Sequence, residues 1–534
     1  MTVVAEVPTT APSRSFAARA GVLGPLVLVL AVVGTWWLVD PPVTDIAAAL
    51  AREQAAGTGP GVSYWFGWYG GIAPGTYSVL TPFLAQLVGS RALIAIAAFA
   101  TAAAAIPLSR GMTHPVFFRY AVALAAASNM IAGRVAFGVG VAIAMGAVVL
   151  LRRRPVLGAV GIAVSGLASP LAPAFAGLVG VALLPSGGHR SARVRATLVG
   201  SVVGLAVPLG LFGAPGAYPV APKTVLLSVV VALVAREPLQ TTPLRWLPYV
   251  FLAAVALLYV VPTGAGDNIS RFAYLVAPCL VVAWSRWDRT PLILLLAPLL
   301  ALAAYSGLRD QAKAVTQGYR EDVYTPLREQ VAGLDDLAGH RLELIDNWSR
   351  SGSYAMGPDV PLARGWEFQS DKAYDAVLSD RARLTDSSFR DWLTDNAVGY
   401  VALAADPAAS YRTEASLVAT EPDYLTEVWS DAHWSLYRVA DPAPIVPAPV
   451  SVVDATPAQL VVRVPDTAAH QLQIRPNRYL VARSSTDPDV HACLEPTDDQ
   501  WVTLQVPQPG EYVLEGDFSP ATIAAPLLGS DDCR

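Results

Sequence analysis

Three carboxylates, Asp40, Asp45 and Glu53, stand close together near the N-terminus. The aromatic run Tyr64, Trp65, Phe66, Trp68 and Tyr69 follows them, with glycines interleaved. Further along, Arg134 comes shortly after Asn129, and Arg271 closes a short polar stretch that begins at Asp267. A carboxylate can take a proton from a hydroxyl, and the guanidinium fork matches two oxygens of a phosphate. Together such groups suit the transfer of a unit carried on a phosphate, with a base activating the accepting hydroxyl and cations holding the departing phosphate. On that chemistry Asp45 is the candidate base, and Arg134 and Arg271 are the candidate phosphate holders. Asp40, Glu53, Tyr64, Trp65, Trp68, Tyr69 and Tyr77 are candidates for lining the substrate. Blander roles compete with each of these. Asp45 can cap the helix it precedes, the aromatic run can form an interfacial belt, and Arg271 can pair with Asp267 inside its own loop.

The elements that must hold these residues follow from hydropathy. Of 534 residues 54% are hydrophobic and 15% charged, against about 25% charged in soluble domains; mean hydropathy is +0.44. The average hides a division. Ala20 to Tyr305 is a series of Ala-, Val- and Leu-rich runs, whereas Asp, Glu, Arg and Ser return from Arg309 onward. This pattern predicts an α-helical polytopic membrane domain over residues 1–308, followed by a soluble extracytoplasmic part. Within that part an α/β unit is expected over 309–440, a Pro-rich linker over 441–450 and a β-rich unit over 451–534. The first apolar run, Ala20 to Val39, has Arg14 and Arg19 ahead of it, as a signal peptide would. It is too long for an h-region and lacks a small-residue cleavage site before Trp36 and Trp37, so it is expected to stay as the first span.

Basic residues in short loops mark the cytoplasmic side. Here they are Arg152, Arg153 and Arg154, then Arg190, Arg193 and Arg195, then Arg286 and Arg289. Placing all of them inside gives a cytoplasmic N-terminus and about eleven crossings of a bilayer that wants roughly 20 residues each. Val156 to Leu184 has basic residues at both ends, so it enters and leaves on one side with Ser169, Pro170 and Pro173 in the turn. Gly75 to Val88 is short and contains Pro82, which fits a re-entrant or interfacial helix on the outer face. The candidate residues all fall on that face.

The soluble part reads as strands at Arg341–Ile345, Gly399–Ala404, Trp434–Val439, Gln459–Val464, Gln500–Val506 and Tyr512–Gly516, with a helix over Phe389–Ala397. Cys279 lies in an apolar run, and Cys493 and Cys533 are expected to pair as a disulfide in an oxidising compartment. His433 and His491 have no partners at ligand spacing, so no metal is expected. No phosphate-binding glycine loop and no serine elbow occur. A net charge of -5 does not suggest a nucleic-acid partner.

The order of these features resembles the GT-C superfamily of membrane glycosyltransferases, including a group of actinobacterial proteins of the same plan. There, an acidic residue follows the first span in a long outer loop. A Pro-x-x-Tyr-type helix comes next, and an Arg lies at a later outer turn. Asp45, then Pro74-Gly75-Thr76-Tyr77, then Asn129 to Arg134 fall in that order. This chain lacks an Asp-x-Asp pair in the first loop, and Ala-Pro-Gly stands where the family has a His-Pro-Pro-type start. The resemblance implies transfer of a sugar from a polyprenyl-phosphate donor to a glycan or lipid acceptor of the cell envelope, at the plasma membrane. It specifies no cofactor. Two other classes compete: a non-catalytic scaffold of envelope assembly with the same fold, and a lipid or solute transporter. A transporter would be expected to show an internally duplicated membrane half and charges at mid-span, and neither is seen in the sequence.

Overall fold

The computed structural model describes residues 16–524, apart from Thr44, Pro60, Ala214, Pro215 and Arg381. Ala and Leu favour helix, and a helix in a bilayer satisfies its own backbone, so the apolar runs become helices. In chain order they are α1 (Phe16–Val39), α2 (Ala47–Gly57), α3 (Thr81–Val88), α4 (Ser90–Leu108), α5 (Pro115–Ile131), α6 (Val135–Leu151), α7 (Pro155–Ala168), α8 (Leu171–Leu183), α9 (Ala192–Phe212), α10 (Pro222–Leu239), α11 (Leu247–Val260), α12 (Ala277–Trp284) and α13 (Arg289–Gln317). Proline opens α5, α7 and α10, where its missing N–H is no loss.

Among the described residues three helical segments, Arg19–Val39, Ser90–Leu108 and Ala192–Phe212, are long and apolar enough to cross a membrane. Six shorter apolar helices accompany them. Leu23, Val27 and Leu30 on α1 and Val199 and Val202 on α9 are exposed, as side chains that face lipid are. The chain is therefore a membrane protein. Eleven crossings are expected from hydropathy; among the described residues three helices reach full length, and the six other apolar helices are 10–17 residues long. At α3, eight residues rise only about 12 Å against a hydrocarbon core of about 30 Å, so this helix does not cross. Where α7 meets α9 the helices touch backbone to backbone. A Cβ on Gly166 would fall on the carbonyl of Gly204, and one on Gly200 on that of Ala159, the small-residue packing that serves where no hydrophobic drive joins helices.

The helix ends sort into two sets. Arg152 donates to the carbonyls of Pro107 and Leu108, and Arg193 donates to that of Arg152, which gathers the ends of α4, α6 and α9 at one pole. At the other pole, α9 ends against the β-rich unit. There Arg478 and Tyr479 donate to the carbonyls of Gly210 and Leu211, and Phe212 stacks on Phe518. α13 does not stop at Arg309 but runs on to Gln317, carrying the chain into the soluble part.

That part begins with a sheet of β1 (Arg341–Ile345), β2 (Val398–Ala404), β3 (Leu425–Ser430) and β4 (Trp434–Val439) in the order β1-β2-β4-β3. β1 and β2 are parallel, so a crossover must join them, and short helices including Asp386–Asp395 fill it. The remainder is two antiparallel sheets, built from β5 (Ser451–Ala455), β6 (Gln459–Val464), β7 (His470–Leu472), β8 (Leu480–Ser484), β9 (Cys493–Pro496), β10 (Val502–Gln505) and β11 (Gly510–Gly516). Their orders are β5-β6-β11-β8 and β7-β10-β9. Period-two alternation turns Leu460, Val462 and Val464 inward against Tyr512 and Leu514.

The segment between α2 and α3 ties the two halves together. Tyr64 enters the β-rich core, while Trp65, Trp68 and Tyr69 enter a core shared by α2 and the α/β unit. Its backbone pairs with the soluble part, Tyr69 donating to Leu362 and Leu362 to Gly67. The aromatic run is thus sealed by protein and does not form an interfacial belt.

Candidate functional site

Gly133 sets the geometry of the site. Its φ of +74° suits glycine, and a Cβ there would press on Val43 and on the backbone of Ile46. The turn between α5 and α6 can therefore lie against the segment leading into α2, which brings Arg134, the residue before α6, to Asp45. Nε of Arg134 donates to Oδ2 of Asp45 at 3.0 Å, and Nη1 donates to the hydroxyl of Tyr274 at 2.8 Å. Arg134 is 15% exposed and Asp45 30%. Asp45 lies one residue too early to cap α2, and the helix has no side-chain cap; its carboxylate turns to Arg134 instead. Among the described residues, the other carboxylate oxygen of Asp45 has no hydrogen-bond partner.

Arg271 precedes a π-helical turn, Phe272–Val276, that carries Tyr274. A single widened turn of this kind re-aims side chains and recurs at functional sites. The Arg271 guanidinium lies over the ring of Phe137, 5.3 Å from its centroid, and within electrostatic reach of Asp45, Arg134, Tyr274 and Tyr77. Among the described residues Arg271 forms no ion pair. Asp267, the partner its own loop offers, accepts instead from the backbone N–H of Ala221 ahead of α10. The site thus contains one carboxylate, two guanidiniums of which one has no carboxylate partner, and the hydroxyls of Tyr274 and Tyr77.

The other residues singled out from the sequence lie elsewhere. Asp40 pairs with Arg91. Glu53 accepts from the N–H of Ser90 at 2.8 Å and so caps α4. Tyr64, Trp65, Trp68 and Tyr69 are at most 2% exposed, which leaves no face for a substrate. Cys493 is buried on β9, and its expected partner Cys533 lies outside the described residues. Among the described residues no three His, Cys, Asp or Glu side chains gather as a metal site would need.

Reading the sequence missed two groups. The first is Arg52, fully buried on α2. Its guanidinium pairs with Glu367 of the soluble part and lies 4.4 Å from the ring centroid of Tyr77 and 5.1 Å from that of Trp68. The second is a polar core in the α/β unit, where Arg364 bonds both Glu343 and Glu414. Burial, opposed by Arg364, pushes the Glu414 carboxyl up to about 7. Burial also pushes Asp346 up to about 6, although Tyr324 and the N–H groups of Asn347 and Gly352 donate to it. The sequence signal for Arg52 was an arginine amid alanines on a short helix; for the polar core there was none.

A separate apolar cavity of about 920 Å³ lies among α5, α6, α8 and α12. Neither Asp45, Arg134 nor Arg271 lines it, although Phe137 does.

No family model matches the chain, and neither does any curated protein. Two solved structures are similar, both cryo-EM structures of arabinofuranosyltransferase AftD from mycobacteria. One covers 86% of this chain at 14% identity and a TM-score of 0.41. The other, a mutant form, covers 82% at 14% identity and a TM-score of 0.42. In each case the match spans 42% of that longer chain.

Proposed function

We propose that this chain is a membrane glycosyltransferase moving a sugar from a polyprenyl-phosphate donor to a cell-envelope acceptor on the outer face. The observation that carries the reading is the Asp45–Arg134–Tyr274 chain beside the guanidinium of Arg271, which has no carboxylate partner. In the reaction, Asp45 takes the proton of the acceptor hydroxyl as its oxygen bonds the anomeric carbon. The bond from that carbon to the donor phosphate breaks, and the phosphate leaves with the electron pair. Arg271 holds the leaving phosphate, while Arg134 orients Asp45 and adds a second positive charge. The apolar tail of the donor stays in the surrounding lipid. Cys493 and Cys533 are proposed to form a disulfide, to be checked by a linked peptide pair under non-reducing digestion that is absent in Cys533→Ser.

A scaffold is the second reading, favoured by the absence of Asp45 from the lining of the large cavity. Asp45→Asn separates the two, because asparagine still accepts from Arg134 and leaves the fold intact. In membranes supplied with polyprenyl-phosphate sugars, loss of a general base lowers transfer by roughly 10²–10⁴-fold. Transfer within about twofold of the parent chain would remove Asp45 from the chemistry and leave the scaffold.

A further inference from the structure

The apolar cavity of about 920 Å³ is a feature of the membrane half that the proposed transfer does not use. Its closed end is formed by buried Phe137 and Phe175, and its open end carries the exposed Arg110, Arg152, Arg193 and Arg286, with no carboxylate in the lining. Arg152 and Arg193 are fixed by backbone carbonyls. Among the described residues the guanidiniums of Arg110 and Arg286 make no hydrogen bond or ion pair, so both are available to a ligand. The open end lies at the pole remote from the soluble part.

We propose that this cavity is a binding site for an anionic phospholipid. Its acyl chain fills the apolar interior, and its phosphate headgroup meets the arginines at the mouth. The occupant follows from the lining. The chamber is walled largely by apolar side chains such as Val141, Met145 and Leu280, with Thr101 and Asn129 also in the lining; water needs two to four polar partners, so most of the volume suits an acyl chain. An acyl chain moving sideways from the bilayer passes from one apolar medium to another, so the chain itself does not select the lipid. Selection rests on the headgroup, and a basic pocket between membrane helices suits an anionic one. The far end of the chain would rest on Phe137, whose ring also lies beneath Arg271, so occupancy would support the guanidinium from below.

The test is lipid retention by the full-length chain. The protein is purified in mild detergent, reconstituted in nanodiscs of phosphatidylcholine with a small share of phosphatidylglycerol, re-extracted and read by native mass spectrometry. One phosphatidylglycerol should be retained in preference to phosphatidylcholine. Each mouth arginine is expected to contribute roughly a fivefold preference, so Arg110→Gln with Arg286→Gln should lower it by roughly 25-fold. Both residues are exposed, so the variant folds. Val141→Trp, which puts an indole into the cavity, should lower retention of phosphatidylglycerol. Equal retention of the two lipids, an unchanged preference in the arginine variant, or displacement by inorganic phosphate at millimolar concentration would overturn the proposal.

Discussion

The buried pair between Arg52 of α2 and Glu367 of the soluble part offers the sharpest perturbation. Their side chains are 1% and 7% exposed. Among the described residues Arg52 has further support only from the Ala48 carbonyl at 2.9 Å and the faces of Trp68 and Tyr77. Glu367→Leu leaves that cation buried without its counter-charge, a change that costs about 3–5 kcal/mol. Two aromatic faces partly offset the loss, which places the expected cost near the lower figure, about 3 kcal/mol. For a folded part of this size each kcal/mol moves the melting temperature by roughly 2–4 °C, so a fall of roughly 6–12 °C is expected. Replacing both partners, Arg52→Met with Glu367→Leu, removes the stranded charge and should restore most of it. Thermal unfolding of the four proteins in detergent, followed by tryptophan fluorescence, gives the complete cycle. A fall below about 2 °C in the single variant, or a double variant no better than the single, would refute the reasoning.

Two further outcomes follow. The Glu414 carboxyl is held up to about 7 by burial, against 4.5 in the unfolded chain. The folded state therefore keeps a proton that the unfolded state has released, and stability is lost as pH rises from 4.5 towards 7. Glu414→Gln should flatten that slope in a melting series from pH 4.5 to 8, and parallel curves would contradict it. Arg271→Gln removes a charge-assisted contact of about 1.5–3 kcal/mol, so donor binding should weaken by roughly 10–100-fold. Unchanged donor affinity would release Arg271 from the site.

Much of the architecture was legible because it depends on local pattern. The hydropathy break near Tyr305, the turn at Ser169 and Pro170, and the strands Arg341–Ile345 and Trp434–Val439 each depend on a few neighbouring residues. What the sequence hid depends on distant partners. A glycine-rich aromatic run has the same composition whether lipid or protein covers it. Tyr64 donates to the carbonyl of Arg475, 411 positions away. Capping competed with catalysis for Asp45 because a single residue of offset decides between them; with α2 beginning at Ala47, the carboxylate meets Arg134 instead. The Arg364 core left no trace because Glu343, Arg364 and Glu414 come from three separate segments.

The Arg52–Glu367 pair also bears on why the soluble part is joined to the membrane part in this way. Hydrophobic residues at a junction stabilise it at least as well as a buried ion pair, and stability alone gives no reason to place charges there. A charged pair with two aromatic walls does fix where α2 sits, and the segment entering α2 carries Asp45. If the pair sets register, the double variant Arg52→Met with Glu367→Leu should melt close to the parent chain yet transfer sugar poorly, because Asp45 would no longer be held against Arg134. If it serves cohesion only, transfer and melting temperature should recover together. Measuring both on the same preparation separates positioning from stability, since only positioning predicts that they part.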